Sequence, residues 1–200
     1  MSHKIGYMYL FFDVETVGFP KKWNRPHTDT FNWPRMVQIA WILYDKDQEI
    51  IEKASHIIKP EGFEIPYEAE RIHKITTDIA REEGKELKPI LKEFATVIDK
   101  AEYLIAHNLN FDENVVGAEL HRKSIEHRLF SLERYCTMRE GTYFCKLPGR
   151  QGGFKWPSLQ ELHFKLFGEK FQNGHDALVD SEICAKCFFK LVEMDEIDVF

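Results

Sequence analysis

Two carboxylates stand two residues apart where an apolar run ends, in Tyr7-Met-Tyr-Leu-Phe-Phe-Asp13-Val-Glu15-Thr-Val-Gly18. Held close and unpaired, such groups repel: at about 4 Å, two like charges cost roughly 4 kcal/mol at an effective dielectric near 20. A proton on one of them or a cation between them removes that cost, and the cation predicts further acids along the chain. Asp112 and Asp180 are further acids at element ends, with Asp176 four residues before the second. Oxygen ligands without a cysteine or histidine majority suit Mg²⁺ or Mn²⁺ rather than zinc. Two such ions about 4 Å apart clamp an in-line displacement at phosphorus. His175 is the candidate base, because imidazole titrates near neutrality. On a continuous helix, five residues would set it about 140° around from Asp180. Gly174 instead lets it sit on the turn leading into that helix. Each acid alone is also what a helix cap or a solvated strand end looks like; the argument lies in the combination.

These groups need elements to bring them together. Side chains alternate along a strand, so Tyr9, Phe11, Asp13 and Glu15 share one face while Leu10, Phe12 and Val14 share the other. Both faces are apolar until the exit, the pattern of a central strand. Residues 36–44 and 49–58 predict a hairpin around the polar turn 45–48, completing a three-stranded antiparallel meander. Short helices are expected at 67–73 and 77–83, and an amphipathic helix at 85–100 with Pro89 in its first turn. Residues 103–106 predict a short buried strand, 107–110 a polar turn, and 111–121 a helix with Asp112 in its first turn, where a carboxylate favours the dipole. The stretch to Pro157 reads as basic and irregular with short helical pieces. Ser158 caps a helix that Gly168 ends, and Gly174-His-Asp opens the last one. The whole is a mixed α/β arrangement, expected as one domain over 1–200 with its core at about 7–191 and an acidic tail at 193–200.

Composition narrows the class. With 44% hydrophobic and 14% aromatic residues the chain has material for a packed core, and no run approaches the roughly 18 apolar residues a membrane span requires. The N-terminal residues lack the pattern of a secretory leader, and a cytoplasmic protein is expected. The net charge of −6 argues against nonspecific coating of duplex nucleic acid. Between 117 and 157, however, eight Lys/Arg stand against four Glu. The loop 19–34 mixes Lys21, Lys22 and Arg25 with Trp23 and Trp33, a combination used to hold single strands; packing of both tryptophans onto the core is the expected use. Cys184 and Cys187 carry zinc-like spacing but fall inside a helical pattern, and buried reduced thiols are expected there.

Asp13-Val-Glu15, Asn108-Leu-Asn-Phe-Asp112 and His175-Asp-Ala-Leu-Val-Asp180 resemble, in order and spacing, the three motifs of the DEDDh-type 3′–5′ exonucleases, which include the proofreading epsilon subunit of bacterial DNA polymerase III. The resemblance covers about 7–191. It implies a ribonuclease H-like fold with a mixed five-stranded sheet, three strands antiparallel and the rest parallel, flanked by helices. It further implies two Mg²⁺ or Mn²⁺ ions and release of nucleoside 5′-monophosphates from single-stranded DNA or frayed 3′ ends. Asp13, Glu15, Asp112 and Asp180 are then the metal ligands and His175 the general base. Thr16 and Val17 line the pocket of the terminal nucleotide, Phe111 wedges or stacks on a base, and Asn108 orders the loop beneath the metals. Assignment of Asp180 rather than Asp176 rests on the family pattern alone. An exoribonuclease or oligoribonuclease uses the same fold, so RNA is the alternative substrate, and a noncatalytic nucleic-acid-binding module is a reading from another class. A replication or repair partner fits the overall acidity, and no membrane partner is expected.

Overall fold

The computed structural model describes residues 7–199. Segment 1–6, considered above for a leader, and residue 200 lie outside the described residues. In chain order the elements are β1 (Tyr9–Thr16), β2 (Met36–Tyr44), β3 (Ile50–Ile57), α1 (Tyr67–His73), α2 (Thr77–Glu82), α3 (Leu87–Ile98), β4 (Tyr103–Ala106), α4 (Leu109–Arg122), β5 (Glu133–Cys136), α5 (Thr137–Cys145), α6 (Leu159–Phe167) and α7 (Ala177–Glu193). The strands form one sheet in the order β3-β2-β1-β4-β5. β1 is central, antiparallel to β2 and parallel to β4; β2 pairs antiparallel with β3, and β4 parallel with β5.

The alternation of β1 builds two cores. Leu10, Phe12 and Val14 pack with Trp41, Phe94 and Val115, so α3 and α4 cover one face. Phe11 packs with Leu162, Cys184, Phe188 and Leu191, so α6 and α7 cover the other. Burying each such side chain contributes about 1.5–3 kcal/mol, and these two layers fix the height of the β1 exit between α4 and α7. A smaller cluster around Val37, Ile65 and Ala69 seats α1 and α2.

Caps follow the sequence where the chemistry is local. Thr76 Oγ1 accepts from Ile79 N at the start of α2. Ser158 and Glu161 make a reciprocal capping box on α6, and Gly168 ends that helix at φ 75°. Other details differ from expectation. The basic stretch is irregular over 123–128 and 146–157 and carries a short helix, Thr137–Cys145, as expected, but Glu133–Cys136 within it is an edge strand. α4 starts at Leu109, two residues early, because Asn108 turns the chain left-handed at φ 72°. The acidic tail folds back, with Ile197 buried in the second core and Asp198 O accepting from the Tyr135 hydroxyl. Of the loop tryptophans only Trp33 is buried; Trp23 is half exposed. Cys184 and Cys187 lie on the buried face of α7, in the second core, where burial pushes the Cys187 thiol up to about 12. Among the described residues no helix is long and apolar enough to cross a membrane.

Candidate active site

The site exists because β4 is short. β1 pairs with β4 only as far as Phe11 opposite Ile105, and β4 stops at Ala106. Asp13 and Glu15 therefore run past the end of their parallel neighbour, at the edge where ligands enter open α/β sheets. On the other side, they stand opposite Ala40 and Gln38 of β2. The turn through His107 and Asn108 returns the chain as α4, placing Asp112 in its first turn and burying it.

α7 supplies the remaining wall. Asp176 is its N-cap: Oδ1 accepts from Leu178 N and Val179 N, and Oδ2 from the Gln38 amide. Gln38 also accepts from Ala177 N, so β2 holds the start of the helix from both sides of its amide. With Asp176 occupied in this way, Asp180 faces the acids. Its Oδ2 accepts from the backbone N of His175, which sits left-handed at φ 69° on the preceding turn. One ligating atom from each of Glu15, His175 and Asp180 falls within 4.8 Å of the others.

A cavity of about 320 Å³ joins these groups, lined among others by Asp13, Glu15, Asn108, Phe111, Asp112, His175 and Asp180. Thr16 and Val17 do not line it. Thr16 is buried with its hydroxyl donating to Gly18 O, and Val17 packs toward Ile65 and Ala69. Asn108 contributes its backbone turn and makes no side-chain cap bond.

The cavity is electrostatically strained. Burial first, then Asp112, Glu15 and Asp180, raises the Asp13 carboxyl well above the usual range. Burial and the charges of Asp180 and Asp112 push Glu15 up to about 9. Burial also raises Asp112, against backbone hydrogen bonds at Val14 and at its own position, and raises Asp180. Among the described residues none of these four acids forms an ion pair with Lys or Arg. Four hard oxygen donors and one imidazole around a shared space, lacking any protein cation, fit divalent ions of the Mg²⁺ or Mn²⁺ kind.

Sequence reasoning passed over His107. Its Nε2 meets Pro157 O at 3.1 Å, and because a carbonyl only accepts, Nε2 carries the proton and Nδ1 accepts from the Thr137 hydroxyl at 2.9 Å. Burial lowers this imidazole to about 4, so it stays neutral. It ties the segment before α6 to the sheet and sets the far wall at Pro157 and Ser158. Its sequence signal was its place beside Asn108 in the turn after β4.

The central strand, its short parallel neighbour and helices on both faces make this a ribonuclease H-like fold with an acid-lined edge. The family model RNase_T, described as exonuclease, matches residues 10–188, and the chain belongs to that family. The DNA polymerase III subunit epsilon of Treponema pallidum is 27% identical over 184 residues, covering 90% of this chain and 74% of that protein. Among solved structures, exonuclease I of E. coli in complex with a dT13 oligonucleotide superposes with a TM-score of 0.73 at 22% identity, over 94% of this chain. The zinc-bound form of the complex of that enzyme with single-stranded DNA gives a TM-score of 0.70 at 21% identity, over 95% of this chain. In both cases the chain spans 41% of the exonuclease I chain.

Proposed function

We propose that this chain, acting as one exonuclease domain with its core at about 7–191, hydrolyses the terminal phosphodiester bond at the 3′ end of single-stranded DNA and releases a nucleoside 5′-monophosphate. The observation that carries the proposal is the cluster of four uncompensated acids facing His175 across one open cavity. Asp13, Glu15, Asp112 and Asp180 would hold two divalent ions, Mg²⁺ or Mn²⁺. When bound, these ions neutralise the acids and stabilise charge on the attacking and leaving oxygens.

The chain's own residues do the rest. His175, exposed on its left-handed turn, takes the proton of the attacking water at a ring nitrogen. The backbone bond from His175 N to Asp180 fixes that turn against the acid cluster, so base and carboxylates keep their spacing. Phe111, at the cavity lip beside Asp112, packs on the terminal base. Thr16 and Val17 are proposed as contacts of the terminal nucleotide from the end of β1, and Asn108 as the residue that turns the chain beneath the acids. Four free cysteines support a reducing, cytoplasmic compartment, and likeness to an epsilon subunit supports a replication or repair partner.

The test is digestion of 5′-labelled single-stranded DNA and RNA of one sequence with Mg²⁺, Mn²⁺ or EDTA. A one-nucleotide DNA ladder is expected that needs the metal and collapses in Asp13→Asn and His175→Ala. A ladder on RNA alone would move the substrate to RNA, and no ladder on either would overturn the hydrolase.

A further inference from the structure

The loop between β1 and β2 contains two tryptophans that the fold treats oppositely. Trp33 is 3% exposed, and its Nε1 donates to Pro26 O. Trp23 is 51% exposed and Phe19 76% exposed; single exposed rings are ordinary on a protein surface, whereas contiguous ones mark a binding surface. These outward rings are not scattered. Phe19 and Trp23 lie 6.4 Å apart between centroids, and each meets Phe111, at 6.2 and 5.9 Å. Phe111 lines the acidic cavity, so one aromatic surface runs from the lip of the active site outward along the loop.

The loop is also rigidly built. Asn32 brackets Lys22, accepting from its N at 2.8 Å and donating to its O at 2.9 Å, and Lys21 N donates to Asn32 O. Arg122 of α4 donates to Trp33 O at 2.8 Å and to Thr30 O. His27 stacks on Phe130 with centroids 4.3 Å apart, close against Gly117, where an added Cβ would lie 2.7 Å from the Phe130 ring. Beside the rings, Lys21, Lys22 and Arg25 line an open depression of about 340 Å³. Arg25 pairs with Asp29, whereas Lys21 and Lys22 form no ion pair among the described residues. Unpaired cations beside outward aromatic rings, in a chain of net charge −6, match a strand that carries both bases and phosphates.

We infer that Phe19 and Trp23, continued from Phe111 and flanked by Lys21 and Lys22, form a stacking platform for the bases of single-stranded DNA immediately upstream of the scissile bond. The assignment rests on the hydrolase reading for its direction, since the 3′ end must enter at Phe111. The platform grips several nucleotides without reading their sequence, because every base offers a π face. It makes longer strands better substrates than short ones, and it supplies affinity that an acidic chain otherwise lacks.

Two readouts test it. The first is metal-free binding of fluorescein-labelled dT12 in EDTA, followed by anisotropy. Stacking contributes about 1–3 kcal/mol per base, so the double variant Phe19→Ala/Trp23→Ala is expected to bind at least tenfold more weakly. Lys21→Ala/Lys22→Ala is expected to flatten the salt dependence by a log–log slope of about 0.7 per lost phosphate contact. The second readout is the ratio of kcat/KM for dT12 to that for a dinucleotide, expected to be well above one in the native chain and to collapse in the aromatic double variant. Both aromatic side chains are exposed, and an unchanged melting temperature certifies the fold. Native-like dT12 binding and an intact length ratio in that variant would overturn the platform. Metal-free dT12 binding that the variant loses, with no turnover by the native chain, would sink the hydrolase and leave the platform standing.

Discussion

Asp112 and Glu119 lie seven residues apart on α4, within about 20° of each other around the helix, and both are buried at 2% and 0% exposure. Their surroundings are opposite. Glu119 Oε1 accepts from Arg35 Nε at 2.8 Å and Met36 N at 3.1 Å and forms an ion pair with Arg122 Nη1 at 3.2 Å, so two guanidinium groups meet its charge. Asp112 meets Asp13, Glu15 and Asp180 instead. One helix thus carries a carboxylate the protein pairs with its own cations and another it leaves among its like with no protein cation. The first joins α4 to β2 and to the loop that Arg122 holds. The second costs stability and makes sense only with a cation from outside, which is the usual trade at a functional site.

The sharpest way to break that comparison lies within α7. Asp180→Asn is expected to lower kcat/KM by about 10³-fold or more, as removal of a group that holds transition-state charge does. Asp176→Asn should stay within a few fold of native, because Asn caps a helix about as well as Asp. Steady-state assays on one oligonucleotide decide it, and loss in Asp176→Asn alone would exchange the two roles. Next in size is Glu119→Ala, which takes one partner from Arg35 and Arg122 and the acceptor from Met36 N while Arg35 keeps Glu61 and Arg122 keeps Thr30 O and Trp33 O, and should destabilise the fold by about 1–3 kcal/mol in urea melts.

At the acid cluster the stability effect should reverse sign. Asp13→Asn, inactive, is expected to gain about 0.5–2 kcal/mol in the absence of divalent ions. The same strain sets a pH dependence. A carboxyl whose folded pKa is raised contributes stability that is present below its unfolded value, near 4, and lost as the pH climbs toward the folded value, about 9 for Glu15. The cation-free melting temperature should therefore fall between pH 6 and 9, less steeply in Asp13→Asn, and Mn²⁺ should restore more at pH 9 than at pH 6. A flat profile with EDTA would show that the acids are not strained.

Local chemistry made much of this legible in the chain. The period of two in β1 separated Phe11 from Phe12 and put Asp13 and Glu15 on one face, and Ser158 and Gly168 marked helix boundaries through their own local needs, whereas before α7 it is His175 and not Gly174 that takes the left-handed turn. Nothing local reveals β5: Glu133-Arg-Tyr-Cys136 is a half-exposed edge strand held by pairing with β4 and by partners far away in sequence, among them Glu113 and Phe188. The seating of Trp33 depends on Arg122, the outward ring of Trp23 meets Phe111, and the division between Asp176 and Asp180 depends on Gln38, partners far away in sequence. His107 was silent for the same reason, since its anchors Thr137 and Pro157 arrive with later elements.

The central claim is that the uncompensated acids are a cation site, and calorimetric titration of Mn²⁺ at pH 8 addresses it without any substrate. The native chain and Asp176→Asn are expected to bind alike, and Asp13→Asn and Asp180→Asn roughly tenfold or more weakly, in line with the sensitivity of metal affinity to its ligand shell. Equal Mn²⁺ binding by all four proteins, or none by the native chain up to millimolar concentration, would contradict it.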